Sequence, residues 1–188
     1  WGNLARPACH NLNKQDNNAV TVDTNFNFID NKDVSGGWHD AGDYVKYTFN
    51  NALSTVWLAK AYLENPMAFS DNEQIPESGN GVPDIVDELI WNTYFLFKLQ
   101  DTNAMSPNYG GVHSKVSTLQ WNVYTLPQNE SAVRFLTPPT TISTAGFVAA
   151  MCYLYRVFNT LPAYQSLATA CSTAAFRGWQ YLNSHTQN

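Results

Sequence analysis

Charge is what this sequence has least of. Lys, Arg, Asp and Glu make up 13% of its 188 residues, about half the share of an ordinary soluble chain. The balance is acidic, with a net charge of −5, which argues against nucleic acid because phosphate binding needs a basic surface. Cysteine is scarce as well. Cys9, Cys152 and Cys171 form no CxxC or other close pair, and their odd number weakens any argument for a disulfide framework. Cys152 and Cys171 both fall in helical apolar patterns and read as buried thiols. No apolar run approaches the length of a bilayer span, so no membrane partner is expected. The chain begins at Trp1, without methionine or signal peptide, and reads as a piece whose own ends say nothing about targeting. Fixed-period repeats, low-complexity tracts and strand-rich regions are also missing.

Apolar residues at 44% and aromatics at 14% are present in strength, enough for one domain with a substantial core. Surface polarity must then come largely from Asn, Ser, Thr and Gln. That leaning suits a secreted protein whose ligand is neutral and is gripped by aromatic faces and amides. Residues 1–35 carry no sustained period and read as loop. Leu53, Val56, Trp57, Ala61 and Leu63 predict an amphipathic helix from Asn51 to Glu64, ended by Asn65-Pro66. A second helix starts at Pro83 and runs to Gln100, with Asp84, Asp87 and Glu88 at its positive end. Its apolar residues cover most of the circumference, which predicts packing on two sides. Residues 101–143 are irregular apart from an extended piece at Val112–Val116, and so long a connection is usually functional. A third helix, capped by Thr144, runs to Phe158, and a fourth from Tyr164 to Asn183. The expectation is an all-α domain with long loops, helix two or four at its centre, and too few helices to close a core.

The stretch from Asp33 to Tyr47 stands apart. Asp40 and Asp43 lie three residues apart among Gly36, Gly37 and Gly42, beside Trp38, Tyr44 and Tyr47. Close anions repel and glycines raise the cost of ordering, so such a loop serves a site more readily than a core. An Asp-rich turn leading into a helix is the plainer alternative. Paired carboxylates can orient and deprotonate a water, or hold a divalent cation. Inverting glycoside hydrolysis needs a base and an acid about 6.5–9.5 Å apart, so two Asp on one loop would both sit on the base side. Cys9, His10 and His39 offer three ligands where a structural zinc takes four, or they are simply packed.

Ser35-Gly36-Gly37-Trp38-His39-Asp40-Ala41-Gly42-Asp43 closely resembles the signature near the start of glycoside hydrolase family 9 catalytic domains, mostly cellulases. Gly81-Val82-Pro83-Asp84-Ile85-Val86-Asp87-Glu88, Lys98-Leu99-Gln100, Gly110-Gly111-Val112-His113 and Ser143-Thr144-Ala145 follow in the family's order, so the resemblance covers nearly the whole chain. It implies that residues 1–188 are the N-terminal portion of a single catalytic domain, truncated at both ends and lacking its C-terminal part. The fold implied is part of an (α/α)6 barrel. By resemblance Asp43 is the water-activating base, Asp40 its partner carboxylate, and the general acid a downstream glutamate outside the chain. Glu88 and Glu130 match no acid motif. No cofactor is implied for catalysis. Cys9, His10 and His39 are similar to ligands of a structural zinc in members with an immunoglobulin-like module, whose fourth ligand would be a cysteine before Trp1. Trp38, Tyr44, Tyr109, Trp121 and Tyr124 are candidates to stack on sugar rings, or are packing residues. His113 and Arg134 could donate to sugar hydroxyls, Arg134 alternatively to backbone carbonyls. The implied function is inverting endo-β-1,4-glucanase action on cellulose or related β-glucans, in a secreted, periplasmic or cell-surface protein. An exo-acting glucosidase or glucosaminidase, a non-catalytic carbohydrate-binding fragment, and a metal-dependent all-α enzyme are the other readings.

Overall fold

The computed structural model describes residues 7–121 and 125–185, and four helices dominate them. Helix α1 spans Thr48–Glu64 and stops where Pro66 draws Asn65 out of helical geometry, at φ −149°. Helix α2 spans Asp84–Leu99, with Asp84 and Asp87 in its first turn and Lys98 in its last, each complementing the helix dipole. Helix α3, Thr141–Asn159, starts earlier than the sequence pattern suggests. Its cap is Thr140, whose hydroxyl accepts from the Ser143 amide at 3.2 Å. Thr144 lies inside the first turns, buried, with its hydroxyl donating to Thr140 O and accepting from Val112 N. Helix α4 spans Gln165–Ser184.

The centre belongs to α3, not to the second or fourth helix. It packs against α4 on one side and α1 on the other, burying Phe147, Ala150, Met151, Leu154, Val157 and Phe158. Each of these side chains larger than alanine contributes about 1.5–3 kcal/mol of transfer free energy. By length and composition α3 could cross a bilayer, with a mean hydropathy of 1.2, contrary to the sequence expectation. Its position between two helices is that of a core helix. Helix α2 packs one-sidedly: Val86, Leu89, Phe95, Leu96 and Leu99 face inward while Trp91 and Tyr94 are exposed, because α1 is its main helical neighbour. Burial pushes the Cys171 thiol up to about 12. Cys152, expected to be buried, is exposed on α3.

The N-terminal segment is not all loop. Strands β1 (Ala19–Val22) and β2 (Phe28–Lys32) pair antiparallel, and β1 also pairs in parallel with β6 (Phe135–Leu136). With β3 (Lys46–Tyr47) and β5 (Lys115–Ser117) they form one sheet in the order β2-β1-β6-β5-β3. Strands β4 (Val112–His113) and β7 (Pro139–Thr140) make a separate antiparallel pair. Strands of two to five residues show no readable alternation, and β6 stands far along the chain from its partner β1. The sheet joins the N-terminal segment to the connection before α3, and the Asp40–Asp43 loop is strung between β2 and β3.

Candidate active site

The loop from Val34 to Val45 is held at several points. Val34 N donates to Asp16 O at 2.6 Å. Lys98 Nζ pairs with Asp33 at 2.9 Å and donates to Ser35 O and Oγ. Gly37, at φ +72°, passes so close to α2 that a Cβ would sit 2.4 Å from Phe95 Cδ1, so only glycine fits. Trp38 is gripped by one amide: its N–H donates to Asn51 Oδ1 at 3.0 Å, and Asn51 Nδ2 donates back to Trp38 O at 3.1 Å. The chain then turns tightly, Asp40 N to Val45 O at 2.8 Å and Tyr44 N to Ala41 O at 3.1 Å, with Tyr44 at φ 59°. The turn carries the carboxylates at its shoulders. One Asp40 oxygen accepts from Asn50 Nδ2, and one Asp43 oxygen accepts from Val45 N at 3.2 Å. Among the described residues the second oxygen of each has no hydrogen-bond donor, so each carboxylate keeps one oxygen free to take a proton from water. Asp40 is exposed and Asp43 half-buried.

Behind the loop lies a cleft of about 1240 Å³ lined by Trp38, His39, Ala41, Tyr44, Trp91 and Tyr94 among others. Neither Asp40 nor Asp43 lines it, so the loop has an aromatic face and a carboxylate face. At the aromatic face, ligand atoms of Cys9, His10 and His39 all lie within 4.8 Å of one another. His10 is buried, and neither of its ring nitrogens has a hydrogen-bond partner among the described residues; Glu130 Oε2 lies 3.0 Å from Nε2, off a hydrogen-bonding direction. Burial, then the Arg134 charge, lowers the His10 pKa, while burial and then His10 push His39 down to about 3. Both imidazoles are therefore neutral at physiological pH, the form that ligates a metal. Two neutral histidines and a cysteine with an orphaned buried nitrogen fit a zinc ion.

The sequence from residue 2 to residue 188 matches the model of glycosyl hydrolase family 9. The chain belongs to that family. It is 34% identical over 164 residues to a cellulose 1,4-beta-cellobiosidase of Acetivibrio thermocellus, covering 82% of this chain and 18% of that one. A metagenome-derived family 9 endoglucanase superposes with a TM-score of 0.78 at 34% identity, over 90% of this chain and 30% of that one. A zinc-binding triple mutant of endoglucanase J30 does so with 0.79 at 30% identity, over 97% and 33%. The chain thus spans about a fifth of its curated relative and about a third of the solved structures. Its helices form part of an (α/α)6 barrel.

Within this family 9 chain the expected residues fall into three places. Asp40 and Asp43 share the turn, and Cys9, His10 and His39 converge behind it. The aromatic candidates scatter. Trp38 donates from Nε1 to Glu88 at 2.9 Å and borders the cleft; the Tyr44 hydroxyl donates to Thr125 O. Trp121 is 74% exposed, Tyr109 is half-buried, and Tyr124 lies outside the described residues. His113 is buried on β4 with Nδ1 donating to Thr137 O at 2.8 Å. Arg134 is fully buried and binds a backbone carbonyl, that of Tyr44. Sequence reasoning missed Asp16, Lys46 and Asn51, which hold the loop. Lys46 carried a signal, a lysine between Val45 and Tyr47 in an apolar run. It also missed Asp71, Asp84 and Asp87, whose carboxylates cluster within 4.8 Å, with Asp84 Oδ1 buried and unpartnered. That oxygen-only set suits a hard divalent cation.

Proposed function

We propose that this chain supplies the water-activating half of an inverting β-1,4-glucan hydrolase. The observation that carries the reading is the Asp40–Val45 turn, where Val45 N holds one oxygen of Asp43, Asn50 on α1 holds one of Asp40, and the second oxygen of each is left open. Asp43 removes a proton from a water held jointly with Asp40. As that proton leaves, the water oxygen bonds to the anomeric carbon from the face opposite the leaving sugar. The leaving oxygen takes its proton from an acid outside this chain, and the anomeric configuration inverts. The relatives named above, a cellobiosidase and endoglucanases, support a cellulose-like β-glucan substrate. A polymer of that size would be met outside the cytoplasm, which supports a secreted or cell-surface protein.

In the full-length protein, Asp43→Ala should lower turnover of a soluble β-1,4-glucan by about a hundredfold to ten-thousandfold while binding is retained. Near-parental turnover would remove Asp43 from the role of base. Proton NMR of the first products should show the α-anomer; initial β-anomer would overturn inversion. The cellobiosidase relationship favours exo action as a second reading, which cellobiose as sole early product would support and a rapid viscosity loss would defeat.

Cys9, His10 and His39 are further proposed to hold a structural zinc, which would tie the N-terminal segment to the catalytic loop without taking part in the reaction. Cys9→Ser and His39→Ala should each abolish stoichiometric zinc in the purified full-length protein, measured by elemental analysis. Unchanged metal content would refute the assignment.

A further inference from the structure

We infer that Arg134, Asp16 and Lys46 form a buried ionic clamp whose function is to position the Asp43 carboxylate, an inference that rests on the reading of Asp43 as base. Lys46, Asp16 and Arg134 are 1%, 6% and 0% exposed. Asp16 bridges the two cations, with one oxygen 2.7 Å from Lys46 Nζ and the other 3.0 Å from Arg134 Nε. The remaining donors go to the loop. Lys46 Nζ donates to Val34 O at 2.7 Å and to Gly36 O at 2.8 Å, using its full set of three, and lies over the Phe95 ring at 4.6 Å. Arg134 Nη2 donates to Tyr44 O at 2.7 Å. The lysine thus fixes the start of the loop and the arginine its end, one residue past Asp43.

Arg134 brings rigidity from elsewhere in the chain. Its own backbone is locked at the start of β6, the central strand of the sheet, accepting from Val20 N and donating to Lys14 O, both at 2.8 Å. Tyr44 needs such an anchor, because φ 59° is a conformation a bulky aromatic residue rarely adopts. If the Tyr44 peptide relaxed, Asp43 would swing with it.

Stability alone is a poor reason for the clamp. Buried ion clusters can often be replaced by apolar residues of similar volume with no loss of stability. Here Arg134 Nη1 is also buried without an acceptor among the described residues, an added cost. A group retained at such cost, with its donors spent on the backbone around the base, acts on geometry.

The test uses the full-length protein and a soluble β-1,4-glucan oligosaccharide. Arg134→Lys keeps the charge but loses the fork that spans Asp16 and Tyr44. The triple variant Asp16→Leu, Lys46→Met, Arg134→Met removes the ions and keeps volume. Both should melt cooperatively, with kcat lowered about tenfold to a hundredfold and KM within about threefold, since a misplacement near 1 Å costs that much. Parental kcat in either folded variant would overturn the proposal, as would a kcat loss that merely follows the folded fraction. Asp43→Ala runs beside them as a control. If it too turns over normally, the base reading fails and takes the clamp with it. If only Asp43→Ala is slow, the clamp alone is wrong.

Discussion

At the scale of single residues, Gly37 shows how tightly the Asp40–Asp43 loop is fitted. Its positive φ and the absence of a side chain let the backbone lie against Phe95. Gly37→Ala would force the loop or the ring to move, at a cost of about 2–4 kcal/mol from overpacking and backbone strain together. Urea unfolding should record that loss, and Phe95→Leu in the same protein should recover part of it. A cost under about 0.5 kcal/mol, typical of surface changes, would mean the contact is slack. His113 carries a pH dependence of defined sign. Burial, then the Lys32 charge, holds its pKa down to about 4, against 6.5 for the free group. As pH falls through 6.5 the unfolded chain takes up a proton that the folded one refuses. The contribution of His113 to stability is therefore whole above 6.5, lost progressively as pH falls toward about 4, and flat below. His113→Gln should shrink the fall in urea midpoint across that window; an unchanged slope would contradict the shift. What sequence reveals at this scale depends on rarity. Two aspartates among glycines and aromatics announce themselves, so Asp40 and Asp43 were legible. Asp16 and Asn51 are ordinary residues in ordinary contexts, and only the folded backbone they bind gives them meaning.

At the scale of elements, helices were legible because each has enough turns to repeat its pattern. Their boundaries depended on caps, and there the choice between Thr140 and Thr144 turned on contacts far away. Thr144 is committed to Val112 on a strand, which the helix sequence cannot disclose. Thr140→Ala should therefore cost about 1 kcal/mol through the lost cap. Thr144→Val, which strands a buried Val112 amide, should cost more, about 1–3 kcal/mol. Equal losses in thermal or urea unfolding would return the capping role to Thr144. The strands were illegible for a different reason. Val20↔Phe135 and Thr21↔Leu136 join segments far apart along the chain, and neither segment is long enough to alternate. Their stability comes from the sheet as assembled, not from local preference.

At the scale of the molecule, the decisive feature is exposed apolar surface. Phe49, Leu53 and Trp57 on α1, Trp91 and Tyr94 on α2, and Phe176 and Trp179 on α4 are each more than 40% exposed. Leu53, Trp57 and Leu58 join Trp38 in one open trough, so the exposure is contiguous there rather than scattered. A monomeric soluble domain seldom leaves patches beyond a few hundred Å² uncovered. In an (α/α)6 barrel the neighbouring hairpins cover such faces, and this chain spans about a third of the family 9 structures it matches. The 188-residue chain expressed by itself should accordingly bind a hydrophobic dye strongly and sediment as a concentration-dependent mixture of assemblies. Replacing Leu53 and Trp57 together by Gln and Lys should reduce both signals, because it breaks the trough without touching the core beneath α1. A monodisperse, dye-silent monomer with a cooperative melt would show instead that the four helices satisfy one another. The exposed aromatics would then be free for another role, and stacking on the polymer itself would become the first to test.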